Sequence, residues 1–369
     1  MLELLKHLEY AEDLRQESKV KHKMGDIIAI TLFATIANAN EWTEIYAFAE
    51  MNEEFLREHL KLPNGLPSHD TIQRVMAIVN PQFLQRIQLL WNEMLSTNEG
   101  EKLKKILNID GKTICGNGSK TKKALHVVTA YSKSDGICLG QKGVKEKQNE
   151  IVVIPQLLQF LNIKGQIITI DAIGTQTAIA EQIVKQKADY VLAVKANQAN
   201  LHKDIIDYFA DDDFLKKCDY HKTLEKARGG IEKREYWQAN DVEWLADGKK
   251  WAKLKSIGLT RNTVEKDGKR TVESRYYITS MASDAKEFAR CVRGHWAIES
   301  MHWHLDVTFR EDASKTIDEQ SALNLNILRK FALAILKTAD IGKSRTSMKL
   351  KRFYVCCNPS KFLKQLIQL

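Results

Sequence analysis

Two aspartates stand at equivalent points of two apolar runs. Asp110 follows Lys105 to Ile109 (KILNI), Asp171 follows Gln166 to Ile170 (QIITI), and glycine comes soon after each, at Gly111 and Gly174. In open sheets, catalytic and ligand-binding groups gather where strands end at their carboxyl side. Aspartate also ends strands simply as a turn former, but two in one sheet favour function. A third group lies in RGHWAIESMHWHLDVTFRED, where His295, Glu299, His302 and Asp306 recur at i, i+4, i+7 and i+11. At ~100° per residue they share one helix face, within an arc of roughly 60°. Solvated faces usually mix lysine with glutamate, yet no Lys or Arg occurs between Gly294 and Phe309. If Asp110, Asp171 and Glu299 converge, they repel and raise one another's pKa unless cations neutralise them. An all-oxygen ligand set suits Mg²⁺ or Mn²⁺. Two such ions ~3.5–4 Å apart would serve an in-line phosphoryl transfer.

The elements that must position these groups change along the chain. Residues 1 to about 95 read as helical, with amphipathic stretches at Ile27 to Ala37, Glu44 to Leu60 and Asp70 to Leu90. Ser68 or Asp70 is the expected cap of the third, after the loop marked by Pro63, Gly65 and Pro67. Two of these helices could form a helix-turn-helix, although an ordinary bundle fits the same pattern. From about residue 103 short strands follow: KILNI, then Leu125 to Tyr131, then Ile137 to Gln141, with Asp135-Gly136 as a hairpin signal. Helix and strand then alternate: Ile151 to Leu161 helical, QIITI a buried strand, Thr175 to Lys187 helical, Tyr190 to Lys195 a strand. This order predicts an α/β fold (an α+β mixed sheet) with helices on both faces. Charged, Trp-bearing, strand-like pieces over about 200–282 look like a β-rich insertion, and helical periodicity returns from Asp284 to Leu305 and from Glu319 to Lys337. The expected division is a helical domain at 1–98, a catalytic domain at 99–340, and a basic C-terminal tail at 341–369.

At 369 residues the chain exceeds the ~150-residue mode of single domains, and its 44% apolar and 28% charged residues exclude disorder and fibres. The longest apolar stretch, Ile27 to Ala39, is shorter than the ~20 residues a bilayer span needs, and the N-terminus lacks the apolar run of a signal peptide. A cytoplasmic location with no membrane partner is expected. Six cysteines without a CxxC pair argue against zinc ribbons and disulfide scaffolds. The net charge of +9 favours a polyanionic partner.

The chain resembles the DDE-type insertion-sequence transposases of the ISAs type, the group that includes the H-repeat-associated proteins. The resemblance rests on the order and coverage of HKMGDIIAITLFATIANANEW, GLPSHDTIQRV, NIDGKT, EKQNEI, TIDAIGTQ, DYVLAVKANQ, RYYITSM and RGHWAIESMHWHLDVTFREDAS. It implies a ribonuclease H-like catalytic core in which Asp110, Asp171 and Glu299 are the catalytic and metal-binding residues. Two Mg²⁺ or Mn²⁺ ions are implied as cofactors. The implied reaction is cleavage at element ends and transfer of 3′-hydroxyl ends into target DNA, with a homodimer acting on DNA. The N-terminal helical region resembles the family's associated domain, and Lys112, Lys195, Asn197 and Gln198, in matching motifs, are implied DNA contacts. The sequence departs from the wider signature Tyr-x2-Arg-x3-Glu-x6-Lys, since Val292, His295 and Asp306 replace the Tyr, Arg and Lys. Asp306, with His295 and His302, is therefore a secondary candidate for the site.

Two rival readings use the same residues. A zinc hydrolase could draw on His295, His302 and His304 with Glu299, since zinc favours imidazole, but the HExxH arrangement is absent. A catalytically decayed protein that still binds element ends would share the charge and fold.

Overall fold

The computed structural model describes residues 2–95, 104–118, 123–144, 150–227 and 230–368. Six α-helices come first: α1 (Leu2–Leu8), α2 (Met24–Ile36), α3 (Trp42–Met51), α4 (Glu53–His59), α5 (His69–Met76) and α6 (Pro81–Leu95). Two expected long helices are each divided. The stretch from Glu44 to Leu60 breaks at Asn52, whose side-chain amide donates to the Phe48 carbonyl at 2.8 Å. The stretch from Asp70 to Leu90 breaks before Pro81, which has no backbone N–H and is suited to opening a helix. Ser68 caps α5 by accepting from the Thr71 N–H.

The sheet begins with β1 (Ile106–Thr113), β2 (His126–Ser132) and β3 (Ile137–Val144), followed by α7 (Glu150–Phe160), β4 (Ile167–Ile170), α8 (Thr177–Lys185) and β5 (Asp189–Val194). β2 is antiparallel to β1 and to β3, whereas β4 is parallel to β1 and β5 parallel to β4. The resulting order β3-β2-β1-β4-β5 is the ribonuclease H-like arrangement. β4 is buried along its whole length, as expected of a parallel strand covered on both faces.

The segment expected as a β-rich insertion opens with two helices, α9 (Ala199–Ala210) and α10 (Asp212–Lys217). A meander of β6 (Asp219–Ala227), β7 (Gly230–Ala239), β8 (Ser256–Lys266) and β9 (Lys269–Thr279) follows. The meander joins the main sheet: β9 pairs antiparallel with β5, making nine strands. An open β5 edge would present unpaired backbone groups, and β9 satisfies them.

α11 (Ala285–Trp303) crosses one face of this sheet, continues as a single wider π turn (His304–Thr308), and leads to α12 (Glu319–Thr338). Strand alternation divides the core accordingly. Leu107, Ile109, Ile168, Ile170 and Leu192 pack with α7, α8 and α9, while Ile106, Ile167 and Val191 pack against Phe288 and Val292 of α11.

The segment expected as a basic tail folds into α13 (Met348–Cys357) and α14 (Pro359–Gln368). Its basic residues are interleaved at helical spacing with Val355, Leu363, Leu366 and Ile367, which are buried in one core with α2, α3, α5, α6 and α12. Even Arg352 is buried: it donates to the Thr35 carbonyl at 2.8 Å and lies 4.1 Å from the Phe309 ring centre. Among the described residues no helix is long and apolar enough to cross a membrane.

Candidate active site

β1 and β4 pair with Asn108 opposite Thr169. Two residues further along each strand the same register brings out Asp110 and Asp171, and alternation turns both toward α11. Two glycines let that helix lie close. A Cβ on Gly258 would stand 2.4 Å from Phe288 Cζ, and one on Gly294 would stand 3.3 Å from Ile106 Cγ2. Glu299, one helical turn after His295, then faces the strand ends.

A polar layer supports the carboxylates from below. The Thr169 hydroxyl donates to Asn108 Oδ1 at 2.9 Å and lies 2.9 Å from His295 Nδ1. Having given its proton to Asn108, this hydroxyl can only accept from the imidazole, which places the ring proton on Nδ1. Burial, with Arg275 nearby, lowers the His295 pKa to about 4, so the ring is neutral. One residue layer above, Asp110, Asp171 and Glu299 border a cleft of about 290 Å³ together with Lys195, Arg275 and Trp296.

The electrostatics are those of crowded acids. Burial first, and the Asp171 carboxylate second, raise Asp110 to about 7, with Glu150 and Glu299 adding to the effect against the Gly111 N–H bond of 2.9 Å. Burial likewise raises Asp171, with Glu150 contributing, while N–H groups of Gly174 and Ile173 and the charge of Lys195 oppose it. Such a donor set, hard and anionic, fits a divalent cation. As they stand, the carboxylates share the cleft without forming a closed cage: among the described residues no three His, Cys, Asp or Glu side chains are near enough together to hold an ion.

The remaining candidates are placed as follows. His302 Nδ1 lies 3.6 Å from Asp110 Oδ2, whereas His304 Nδ1 lies 3.2 Å from Thr308 Oγ1, so the three imidazoles of the zinc reading have different neighbours. Asp306 falls in the π turn that follows α11 and makes an ion pair of 2.7 Å with Lys112. Lys112 also lies 3.2 Å from Glu311 and 3.2 Å from Asp312, with its side chain only 10% exposed. Asn197 donates to the Ala172 carbonyl at 2.6 Å and Gln198 to that of Thr175 at 2.9 Å, bracing the loop after Asp171. Lys195 is exposed on the cleft wall.

Three neighbouring residues, Glu150, His126 and Arg275, have no role in the sequence reading. Glu150, at the start of α7, is buried and takes His126 Nε2 at 2.6 Å. Its only sequence signal was the EKQNEI string, of which residues 146–149 lie outside the described residues. Arg275 and Trp296 complete the cleft wall.

Comparison with known proteins gives family matches over most of the chain. The family model described as "Transposase DDE domain" matches residues 101–335, and the one described as "DDE_Tnp_1-associated" matches residues 5–92. Two relatives come from Escherichia coli. "Putative transposase YncI" is 39% identical over 364 residues, covering 96% of this chain and 92% of the relative. "H repeat-associated putative transposase YhhI" is 34% identical over 362 residues, covering 95% and 94%.

Proposed function

This chain belongs to the DDE transposase family. From that premise we propose that it cuts phosphodiester bonds at the ends of its own insertion element and joins the freed 3′-hydroxyls to target DNA. The observation that carries the proposal is the meeting of Asp110, Asp171 and Glu299, from three separate elements, at one cleft. Asp110, Asp171 and Glu299 are the residues that would hold two Mg²⁺ or Mn²⁺ ions, which when bound supply positive charge and an activated oxygen nucleophile. The chain's own contribution is positional. β1 and β4 fix the two aspartates side by side, the neutral His295 ties α11 to them through Thr169, and Asn197 and Gln198 brace the loop after Asp171. We assign element-end binding to residues 1–98 and catalysis to residues 99–340, acting in the cytoplasm as a dimer on DNA. The net charge of +9 supports a polyanionic partner.

The test uses the full chain and a duplex carrying the inverted repeats that flank its reading frame. Nicking at the repeat ends should require Mg²⁺ or Mn²⁺. Asp110→Ala, Asp171→Ala and Glu299→Ala should each abolish nicking and keep most of the DNA affinity. Normal cutting by Glu299→Ala together with loss in Asp306→Ala would remove Glu299 from its role. A wild-type chain that binds the ends without divalent-dependent nicking would be the decayed binding protein.

A further inference from the structure

We propose that Arg275, on β9, is the arginine that grips the DNA phosphate beside the carboxylates, with Trp296 as its platform and Lys195 as its neighbour; this rests on the DNA-cutting function proposed above. A cleft walled by Asp110, Asp171 and Glu299 repels a phosphodiester, so a strand entering it must meet fixed positive charge from the protein as well. The helix that carries Glu299 offers none, because the charged and polar positions on its cleft side are a neutral His295 and Glu299 itself. The charge comes instead from the strands. β5 and β9 pair with Val194 opposite Tyr276, and one residue further the same register brings Lys195 and Arg275 side by side. Alternation places both on the face of the sheet that α11 covers, since Val191 of β5 and Tyr277 of β9 pack there.

A graded floor results. Asp110 and Asp171 form one row across β1 and β4, and the Lys195–Arg275 pair stands one side-chain row further along, a step of about 6.5 Å on a strand. Glu299 and Trp296 line the cleft from α11, opposite the strands. Arg275 is held in orientation: its Nε donates to Glu273 Oε1 at 2.8 Å, and its guanidinium carbon lies 5.6 Å from the Trp296 ring centre. A flat guanidinium is suited to bidentate contact with phosphate oxygens. Arg293 and Arg234 also lie 5.7 and 5.9 Å from the same ring, so the indole sits among three guanidinium groups. The Arg275 side chain is 37% exposed, which leaves it reachable from the cleft.

The experiment compares wild type, Arg275→Ala and Arg275→Lys on the end-bearing duplex, with single neutral methylphosphonates walked across the cleavage site. Binding is measured without divalent cations and nicking with Mg²⁺. Arg275→Ala should lower the single-turnover nicking rate by about 100-fold, as loss of one fixed charge donor at a reacting centre commonly does. It should also lower the slope of log affinity against log salt by about one. Arg275→Lys should restore the salt slope but only part of the rate. One methylphosphonate should weaken wild-type binding and leave Arg275→Ala binding unchanged. Thermal midpoints within a few degrees of wild type confirm that the variants fold, and an unfolded Arg275→Ala leaves Arg275→Lys to be judged by its partial rate. Equal nicking by wild type and Arg275→Ala, or an undiminished methylphosphonate effect in that variant, overturns the assignment. If wild type binds the ends without cutting them, the catalytic function fails, while the affinity measurements still decide the Arg275 contact.

Discussion

His126 Nε2 and Glu150 Oε1 lie 2.6 Å apart, both buried, directly against the backbone of Gly111. The pair is completed by Thr113 Oγ1, 2.9 Å from His126 Nδ1, so it links β1, β2 and the start of α7 immediately beside Asp110. A Cβ at position 111 would stand 2.4 Å from His126 Nε2 and 2.5 Å from Glu150 Oε1. Gly111→Ala must therefore displace two buried polar side chains or the strand itself. Its expected cost is about 1–3 kcal/mol, the usual range for overpacking, read as a lower urea midpoint. The same variant should cut DNA poorly, because the displaced strand carries Asp110. Wild-type stability in Gly111→Ala would show that the pair moves aside freely.

Asp110 makes the fold pH-dependent in a definite direction. Burial and Asp171 raise it from the ordinary value of 3.8 to about 7. The folded chain thus holds this proton more tightly than the unfolded chain, and the stabilising contribution is complete below about pH 4 and lost as pH rises toward about 7. His295, lowered to about 4, and His302, also lowered, act in the opposite sense: their contributions are present above about pH 6.5 and lost as pH falls. Asp110→Asn separates the two trends. In chelator-treated buffer its stability relative to wild type should improve by a few kcal/mol between about pH 5 and about pH 8. Adding Mg²⁺ should shrink that gain by stabilising the ionised wild type. A pH-independent difference between the two proteins would count against the raised Asp110.

The sequence marked positions better than partnerships. Asp110 and Asp171 were legible as strand-end groups because an apolar run and its last residue are local features, and the 3.6-residue period put His295 and Glu299 on one face. Nothing local in HLDVT announces the π turn at Asp306 or its ion pair with Lys112. For Lys112 the family resemblance implies a DNA contact, whereas its ion pairs with Glu311 and Asp312, about 200 residues away, have no local signal. Of the four strands over 219–279, β7, β8 and β9 are visible as strand-like pieces, but the union of the meander with β5 depends on an edge pairing that no local pattern encodes. The C-terminal segment was read by its charge, although its apolar residues at helical spacing decide its packing.

The surroundings of Lys112 imply a stability role. Burial alone would depress its charge, but Glu311, Asp306 and Asp312 outweigh burial and raise its pKa. Lys112→Met would leave the fully buried Glu311 with Asn326 at 2.8 Å and Arg329 at 3.6 Å. The expected loss is about 1–3 kcal/mol, with an unchanged salt dependence of DNA binding. Lys195→Ala, on the exposed cleft wall, should do the reverse: nearly wild-type stability and a salt slope reduced by about one. A reduced slope with unchanged stability in Lys112→Met would make Lys112 a phosphate contact after all.

Gly258 decides how closely α11 approaches the sheet, because the Phe288 ring occupies the space its side chain would need. An added methyl would stand 2.4 Å from Phe288 Cζ, so Gly258→Ala must lift the first turn of α11 or turn the ring out of the core. Either response should cost about 1–3 kcal/mol. It should also slow DNA nicking, since Glu299 is carried on the same helix and Gly294 sets a second close contact further along. Phe288→Leu removes ring atoms at the clash, so the double variant should recover part of the stability lost in Gly258→Ala. A double-variant cycle in melting experiments measures this coupling, expected at about 0.5–3 kcal/mol for residues in contact. Strict additivity would mean that α11 is not held to β8 through this contact.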